Sequence, residues 1–248
     1  MAIPIFYAPP GNRQGDKITL GPAEAHHAVA VMRLKQGDRV IVVDGCGMAA
    51  RGEIVTFSKS KVEVVSHADI RNFGEPSVRL TLAAGLSVGE KFDTVVEKGT
   101  ELGVLRFVPI ISEKSKVKLA DPAKAAARRT RLEKVALAAM KQCRRSHRPD
   151  IATVLTLRQF LDETDDSDLN LAFLPSENAK SLDILSSYAG VARVNLLVGP
   201  ESGFSEQEEE YILRAGFVPI ALGPRILRTE TAGPVVTALV MDRLGELK

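Results

Sequence analysis

Two predominantly apolar runs in the second half of the chain, residues 169–174 and 194–198, place the strongest constraint on its fold. Apolar strands of this kind are buried on both faces, which is typical of a parallel sheet covered by helices. Segments with helical spacing alternate with such strands from residue 78 onward. We therefore predict an α/β domain whose ligand-binding loops follow the carboxyl ends of its strands.

The individual elements of this region follow from periodicity and capping signals. A serine and a glutamate at positions 205 and 208 form a capping box at the start of one helix. The predicted strands cover residues 78–82, 107–111, 169–174, 194–198 and 217–222. The predicted helices cover residues 92–102, about 128–145, 205–214 and about 231–247.

The first 70 or so residues have a different texture. Short β-branched runs at 39–43, 52–57 and 61–65 are separated by turns, which predicts a small barrel or sandwich. One short helix is expected at 22–32, and the polar segment 67–76 is expected to be a linker. The predicted domains are therefore residues 1–72 and 73–248.

Composition excludes several classes of protein. The two cysteines, Cys46 and Cys143, form no CxxC motif and are too few for a disulfide framework or a cysteine-based zinc site. The pair His26-His27 has no further ligands at metal-binding spacing, so no metal is expected. No apolar run is long enough to span a membrane and no signal peptide is evident, so a cytoplasmic protein is expected.

The net charge of +2 conceals a strong asymmetry. Residues 112–150 carry 12 basic and 4 acidic side chains, whereas residues 151–217 carry 4 basic and 12 acidic ones. A concentrated basic segment in a nearly neutral protein points to a polyanion such as RNA or DNA. The alternative is a solvated helix face that the acidic segment neutralises within the fold.

Three loops follow the last three predicted strands, at 174–177, 198–205 and 222–231, and present glycines, prolines and backbone amides. Such loops hold small ligands by main-chain hydrogen bonds, although each alone is also consistent with an ordinary strand-to-helix turn. No GxGxxG motif follows a strand, which disfavours a Rossmann-type site. The segment 85–91 ends in Lys91 but fails the P-loop spacing.

Residues 199–205 (GPESGFS) and 222–232 (LGPRILRTETA) together resemble the SPOUT-class methyltransferases. More narrowly, the chain resembles the bacterial enzymes that methylate the ring nitrogen N3 of a uridine in 16S ribosomal RNA. Further matches are residues 97–104 (EKGTELGV), residues 142–145 (QCRR) ahead of Pro149, and His27 with residues 32–34 (MRL) ahead of Gly37. The resemblance spans nearly the whole chain in order.

This resemblance implies an N-terminal PUA-like β-barrel that binds RNA and a C-terminal SPOUT domain with a deep trefoil knot. It also implies S-adenosylmethionine (SAM) as methyl donor, a homodimer, and 16S rRNA in the 30S subunit as substrate, modified at uridine 1498. By position, the resemblance implies a cofactor site formed by Leu174, Val198, Gly199, Pro200, Glu201, Leu222, Gly223, Ile226 and Leu227.

Methylation at N3 requires a base that removes a proton from a weakly acidic ring nitrogen. Our hypothesis is that Arg228 stabilises the developing uracil anion and that Glu230, or less favourably Glu201, accepts the proton. A structural Arg228–Glu230 ion pair is the alternative. The candidate RNA-binding residues are Arg33, Lys35, Arg128, Arg131, Arg144, Arg145 and Arg148.

Two departures from the family pattern bear on the site. Ser202 stands where the family usually has glycine, and Lys114 stands where arginine is common. Two other functions remain open from the residues alone. One is a non-catalytic RNA-binding or ribosome-assembly protein, and the other is a related SPOUT enzyme that acts on transfer RNA or a ribose hydroxyl.

Overall fold

The computed structural model describes residues 3–58, 61–117, 121–164, 167–174, 178–188 and 190–247. The chain divides into two compact units. The first contains Met1–Glu75 with Leu137–Arg148, and the second contains Pro76–Ala136 with Pro149–Lys248. Residues 137–148 group with the first unit, so each unit consists of two segments of the chain. The division into domains 1–72 and 73–248 stays a prediction.

The first unit is built on a curled six-stranded sheet of order β1-β4-β5-β6-β3-β2. Strand β1 is parallel to β4 and the other neighbours are antiparallel. The strands are β1 (Ile5–Tyr7), β2 (Arg13–Gln14), β3 (Lys17–Thr19), β4 (Arg39–Val43), β5 (Met48–Phe57) and β6 (Val62–Arg71). Helix α1 (Pro22–His26) continues into a π-helical turn, His27–Val31, as the predicted helix over 22–32 requires.

The predicted linker over 67–76 is wrong in its first part. Strand β6 continues to Arg71 and stays paired with β5, with Ala49 opposite Ile70. The polar sequence conceals this part of the strand because four of its last five residues are exposed, while the long partner strand still satisfies its backbone hydrogen bonds. Two register shifts in the pairing of β5 with β6 add the local bending that β-bulges give to a sheet.

The second unit contains a seven-stranded parallel sheet, as the apolar runs predict. Its main order is β10-β8-β7-β12-β11-β13, and β9 pairs with β8. The strands are β7 (Arg79–Gly85), β8 (Val104–Ile111), β9 (Asp150–Ile151), β10 (Leu155–Thr156), β11 (Leu169–Phe173), β12 (Arg193–Val198) and β13 (Val218–Ile220). The helices are α2 (Lys91–Glu101), α3 (Pro122–Gln142), α4 (Leu157–Asp162), α5 (Glu206–Arg214) and α6 (Thr229–Arg243). The part of α3 from Leu137 onward groups with the first unit.

Burial explains why the second sheet forms where the sequence predicts it. The inner strands β7, β8, β11 and β12 are buried along most of their length. The capping box is present, because Ser205 Oγ accepts from the Glu208 amide at 3.2 Å and Glu208 Oε2 accepts from the Ser205 amide at 2.9 Å. Helix α4 and the short strands β9 and β10 were not predicted, since two to six residues carry too little periodicity.

No helix in the described part of the chain combines the length and apolarity needed to cross a bilayer.

Candidate active site

The loops singled out from the sequence meet at one edge of the second sheet. Strands β7, β12, β11 and β13 are consecutive neighbours and parallel, so their carboxyl ends lie side by side. Leu174 follows β11, is buried, and donates its amide hydrogen to the Ile220 carbonyl at 3.1 Å. The rest of that loop, residues 175–177, lies outside the described residues. This edge is where parallel sheets bind ligands.

The loop after β12 approaches the end of β7 closely. A Cβ added to Gly85 would lie 2.3 Å from the Pro200 nitrogen and 2.5 Å from its Cα. Only glycine fits at such a distance. The Gly199 carbonyl also accepts a hydrogen bond from Thr229 Oγ1 at 3.3 Å, which connects this loop to the start of α6. Gly199 and Pro200 are therefore held in place by two neighbouring elements.

The loop from Leu222 to Arg228 makes few backbone hydrogen bonds to the residues that the structure describes. Within the described residues, the amides of Leu222, Gly223, Ile226 and Leu227 donate no intramolecular hydrogen bond. Gly223 adopts a left-handed φ of 87°. The side chain of Ile226 is 92% exposed, which is unusual for a large apolar residue. Donors, acceptors and apolar surface are thus available here to a bound molecule.

A cavity of about 380 Å³ opens beside these loops. It is lined by Lys91, Glu201, Ile226, Leu227 and Arg228. Four of these five residues belong to the cofactor or catalytic sets predicted from the sequence. Lys91 was not predicted as a site residue. Its sequence context resembles only a phosphate-binding loop, and the spacing of that segment does not match one.

Lys91, which lines the cavity, contacts two carboxylates at different distances. Its ammonium pairs directly with Glu201 and lies 3.8 Å from Glu230 Oε1. The second oxygen of Glu230, Oε2, is buried and has no hydrogen-bond partner among the described residues. Hydrogen bonding from Lys91 holds the pKa of Glu201 below its ordinary value, even though partial desolvation acts in the opposite direction.

Arg228 and Glu230 form no ion pair with each other in the described part of the chain, so the structural alternative for these two residues is not supported. Arg228 is exposed immediately before α6, and its side chain makes no capping hydrogen bond. Among the described residues its guanidinium makes no ion pair, which leaves it available to a substrate group. A buried carboxylate oxygen without a partner in the described part of the chain and an exposed cation, two positions apart in the sequence, are suited to proton removal with charge stabilisation.

The two departures from the family pattern are accommodated by the structure. The left-handed φ of 68° falls on Gly203 and not on Ser202, so the serine is not strained. Ser202 Oγ donates to the Lys114 carbonyl at 2.7 Å, and Lys114 Nζ donates to the Phe204 carbonyl at 2.7 Å. These reciprocal bonds fasten the loop after β12 to the segment after β8.

The RNA-binding candidates differ in how free their charges are. Arg33, Lys35 and Arg148, all in the first unit, are exposed and make no side-chain ion pair within the described residues. Arg131 is paired with Glu90 at 3.0 Å and with Asp93 at 2.8 Å. Arg128 and Arg144 are half-buried, in the second and first units respectively.

Arg145 has a structural environment that sequence reasoning did not foresee. Its side chain is 3% exposed and lies 2.8 Å from Glu75 Oε2. Glu75 Oε1 also accepts the amides of Ser146 and His147, each at 2.8 Å. A guanidinium enclosed in this way has little surface left for a phosphate, so we place Arg145 in the scaffold of the first unit.

A second cavity, of about 330 Å³, lies at the amino ends of β7, β8 and β12. Arg106 and Arg193 in its wall are paired with Glu163 and Asp168. This edge is opposite the one where parallel sheets place their ligands, and much of its charge is compensated. No cluster of three His, Cys, Asp or Glu side chains in the described residues is arranged to hold a metal ion.

Comparison with known proteins agrees with these features. A family model of the RNA methyltransferase domain matches residues 74–241, and one of the RNA methyltransferase PUA domain matches residues 14–65. The ribosomal RNA small subunit methyltransferase E of Bacillus subtilis is 35% identical over 214 residues, which cover 84% of this chain and 83% of the relative.

Two solved structures are similar over almost the full length. A Legionella pneumophila methyltransferase structure with the cofactor SAM has a TM-score of 0.85 at 29% identity and covers 98% of both chains. The Neisseria gonorrhoeae ribosomal RNA small subunit methyltransferase E bound to S-adenosyl methionine has a TM-score of 0.83 at 29% identity and covers 97% of both chains. The chain belongs to the ribosomal RNA small subunit methyltransferase E family.

Proposed function

We propose that this protein transfers the methyl group of SAM to N3 of a uridine in 16S ribosomal RNA. The family relationship supports the enzyme class, the methyl donor and ribosomal RNA as substrate. One observation carries the choice of chemistry: Glu230 Oε2 is buried without a hydrogen-bond partner among the described residues, and Arg228, two positions earlier in the chain, lines the cavity. Removal of the proton from an acidic N–H flanked by two carbonyl groups needs a proton acceptor and a cation that stabilises the anion.

The residues at the sheet edge fit the proposed donor. The amides of Leu222, Gly223, Ile226 and Leu227, which donate to none of the described residues, offer hydrogen bonds to a purine ring, and the exposed side chain of Ile226 offers apolar contact. Leu174 and Val198 supply the buried floor at the ends of β11 and β12. When bound, SAM supplies an electrophilic methyl group on a sulfonium.

The protein's own part in the reaction is to prepare the nucleophile. Glu230 Oε2 accepts the N3 proton, and the electron pair left on N3 becomes available for the new bond to carbon. Arg228 stabilises the negative charge that spreads to the flanking uracil oxygens. Because a base pair would occupy N3, the uridine has to be unpaired or turned out of a helix before it reaches Glu230.

Exposed cations in the first unit would bind the RNA backbone. Arg33, Lys35 and Arg148 are the proposed phosphate contacts with free charges, and Arg128, Arg131 and Arg144 are proposed as weaker ones because they are half-buried. Together they make binding depend steeply on salt concentration.

The finer architecture belongs to the same proposal. We infer a PUA-like barrel for the first unit and a trefoil knot in the loops at the cavity, both on the family relationship. We also infer a homodimer, on the same family relationship. Sedimentation of the purified protein tests the dimer. A cytoplasmic location follows from an RNA substrate in the small ribosomal subunit.

The decisive experiment maps methylated nucleotides by mass spectrometry in 16S rRNA from cells with and without the protein. We expect one N3-methyluridine to be lost in the deletion strain and restored by the gene. Calorimetry with SAM separates the enzyme from a non-catalytic RNA-binding protein. Loss of a ribose methyl or of a transfer RNA modification instead would contradict the proposed substrate.

A further inference from the structure

Lys91 occupies a position that local helix energetics do not favour. It is the first residue of α2, and Glu90 at the N-cap makes no side-chain capping hydrogen bond. The amino end of a helix carries partial positive charge, so a cation there is repelled. Residues that break a local rule are expected at functional sites, where another interaction compensates.

The compensation comes from two carboxylates on two other segments. Glu201 belongs to the loop after β12, and Glu230 lies in the first turn of α6. Lys91 stands between them and also lines the cavity. The sheet topology brings these segments together, although 110 residues separate Lys91 from Glu201 in the sequence.

Lys91 does not treat the two acids equally. It donates a hydrogen bond directly to Glu201, whose lowered pKa makes that carboxylate a weak proton acceptor. Its contact with Glu230 is longer, 3.8 Å to Oε1. Glu230 Oε2 is left buried without a partner in the described part of the chain. Two similar carboxylates in one site are thereby given different environments, a pattern that separates catalytic roles.

We propose that Lys91 is a positioning residue that engages Glu201 as a permanent anion and orients Glu230 through Oε1, so that Oε2 faces the proton on N3. This inference rests on the proposed methyl transfer. In that step the N3–H bond breaks and the proton forms an O–H bond on Glu230. The electron pair on N3 forms the bond to the methyl carbon, and the pair of the broken C–S bond stays on sulfur.

The test measures kcat against pH for wild type, Lys91→Met and Lys91→Arg at saturating SAM and 16S rRNA. Loss of the cation makes the proton acceptor easier to protonate, so the acidic limb of the profile moves to higher pH in Lys91→Met. We expect kcat at neutral pH to fall about ten- to a hundredfold, because the acceptor is less well oriented. Lys91→Arg keeps the charge and restores most of the rate and the position of the limb.

Other charges near the cluster stay constant in this comparison. Arg228 and Lys116 both act on Glu201, and Glu90 is paired with Arg131. The matched control is Lys98→Met, which removes a lysine from the same helix that is bonded to Glu97 and Glu101. It is expected to leave both kcat and the limb unchanged. Lys91→Gln, a second neutral variant, is expected to behave like Lys91→Met. It provides the same test if Lys91→Met does not fold.

The outcomes separate the two proposals. An active Lys91→Met or Lys91→Gln enzyme with an unmoved acidic limb would overturn the role of Lys91 while the methyltransferase proposal stands. A reduced melting temperature alone, with an unchanged pH profile, is the result of a merely structural role and would also overturn it. Failure of wild type to methylate 16S rRNA would overturn the proposed function and this inference together.

Discussion

Each of the two units contains a cluster of one cation with one or two carboxylates. The clusters differ in whether every carboxylate oxygen has a hydrogen-bond partner. In the first unit, Arg145 and Glu75 are enclosed, and the carboxylate accepts bonds from the guanidinium and from two backbone amides. In the second, Lys91 faces Glu201 and Glu230 at a cavity, and one oxygen of Glu230 has no partner among the described residues. A fully satisfied buried pair specifies structure, whereas an unsatisfied group beside a cavity is available for chemistry.

The largest expected effect on stability comes from breaking the enclosed pair. Glu75→Gln removes the negative charge and leaves the buried Arg145 uncompensated, which costs about 3–5 kcal/mol of unfolding free energy. Urea denaturation measures this loss. The control is Asp69→Asn at the more exposed Arg13–Asp69 pair, where we expect a change of about 1 kcal/mol or less. Equal losses in the two variants would remove the distinction between enclosed and surface pairs.

At the cavity we expect a loss of turnover with little change in stability. Glu230→Gln keeps the shape of the side chain but removes the proton acceptor, so turnover falls by about 10²- to 10⁴-fold. The urea midpoint and SAM affinity stay close to the wild-type values, since Glu230 Oε2 makes no hydrogen bond to lose in the described residues. Unchanged turnover at saturating SAM would exclude Glu230 as the base.

A smaller effect is expected where cations have no ion-pair partner among the residues that the structure describes. Alanine at Arg33, Lys35 and Arg148 together weakens binding to 16S rRNA and lowers the salt slope by about one for each phosphate that is no longer bound. The matched control is Arg214→Ala, an exposed arginine already paired with Glu210 at 3.2 Å. Identical salt slopes for the triple variant and wild type would show that these cations do not touch the RNA.

The smallest effect is expected on the stability of a variant at Asp168, a carboxylate with a lowered pKa outside the candidate site. Backbone amides of Ala192 and Arg193 hold the pKa of Asp168 below its ordinary value, far from the cavity edge. A depressed folded-state pKa stabilises the protein at pH values above the unfolded pKa, and the contribution is lost as the pH falls through the folded pKa. Asp168→Asn is therefore less stable than wild type at pH 7, and the difference shrinks below about pH 4.

Urea unfolding at pH 7 and pH 3 measures this difference. Asp162→Asn, at an exposed residue of α4, is the control and is expected to follow wild type at both pH values. A difference for Asp168→Asn that persists at pH 3 would assign its effect to something other than the ionised carboxylate. The result shows whether the carboxylate of Asp168 stabilises the fold while it is ionised. Our proposal gives Glu201 the corresponding role of an ionised partner for Lys91.

Much of the second unit is readable from the sequence because its signals are local. Residues 169–174 and 194–198 predict buried strands, and the Ser205–Glu208 capping box predicts the start of α5. The first unit is harder to read. Its strand β6 extends through polar residues to Arg71, because pairing with β5 supplies the backbone bonds that polar side chains do not indicate.

The sequence by itself determined the kind of sheet and the loops that carry Glu201, Arg228 and Glu230, since apolar runs, glycines and prolines act over a few residues. Only the tertiary structure decided which charges are free. It enclosed Arg145 against Glu75 and brought Lys91 to two acids on distant segments. The physical reason is that ion pairing and desolvation depend on distance in space, which parallel strand order sets and sequence separation conceals.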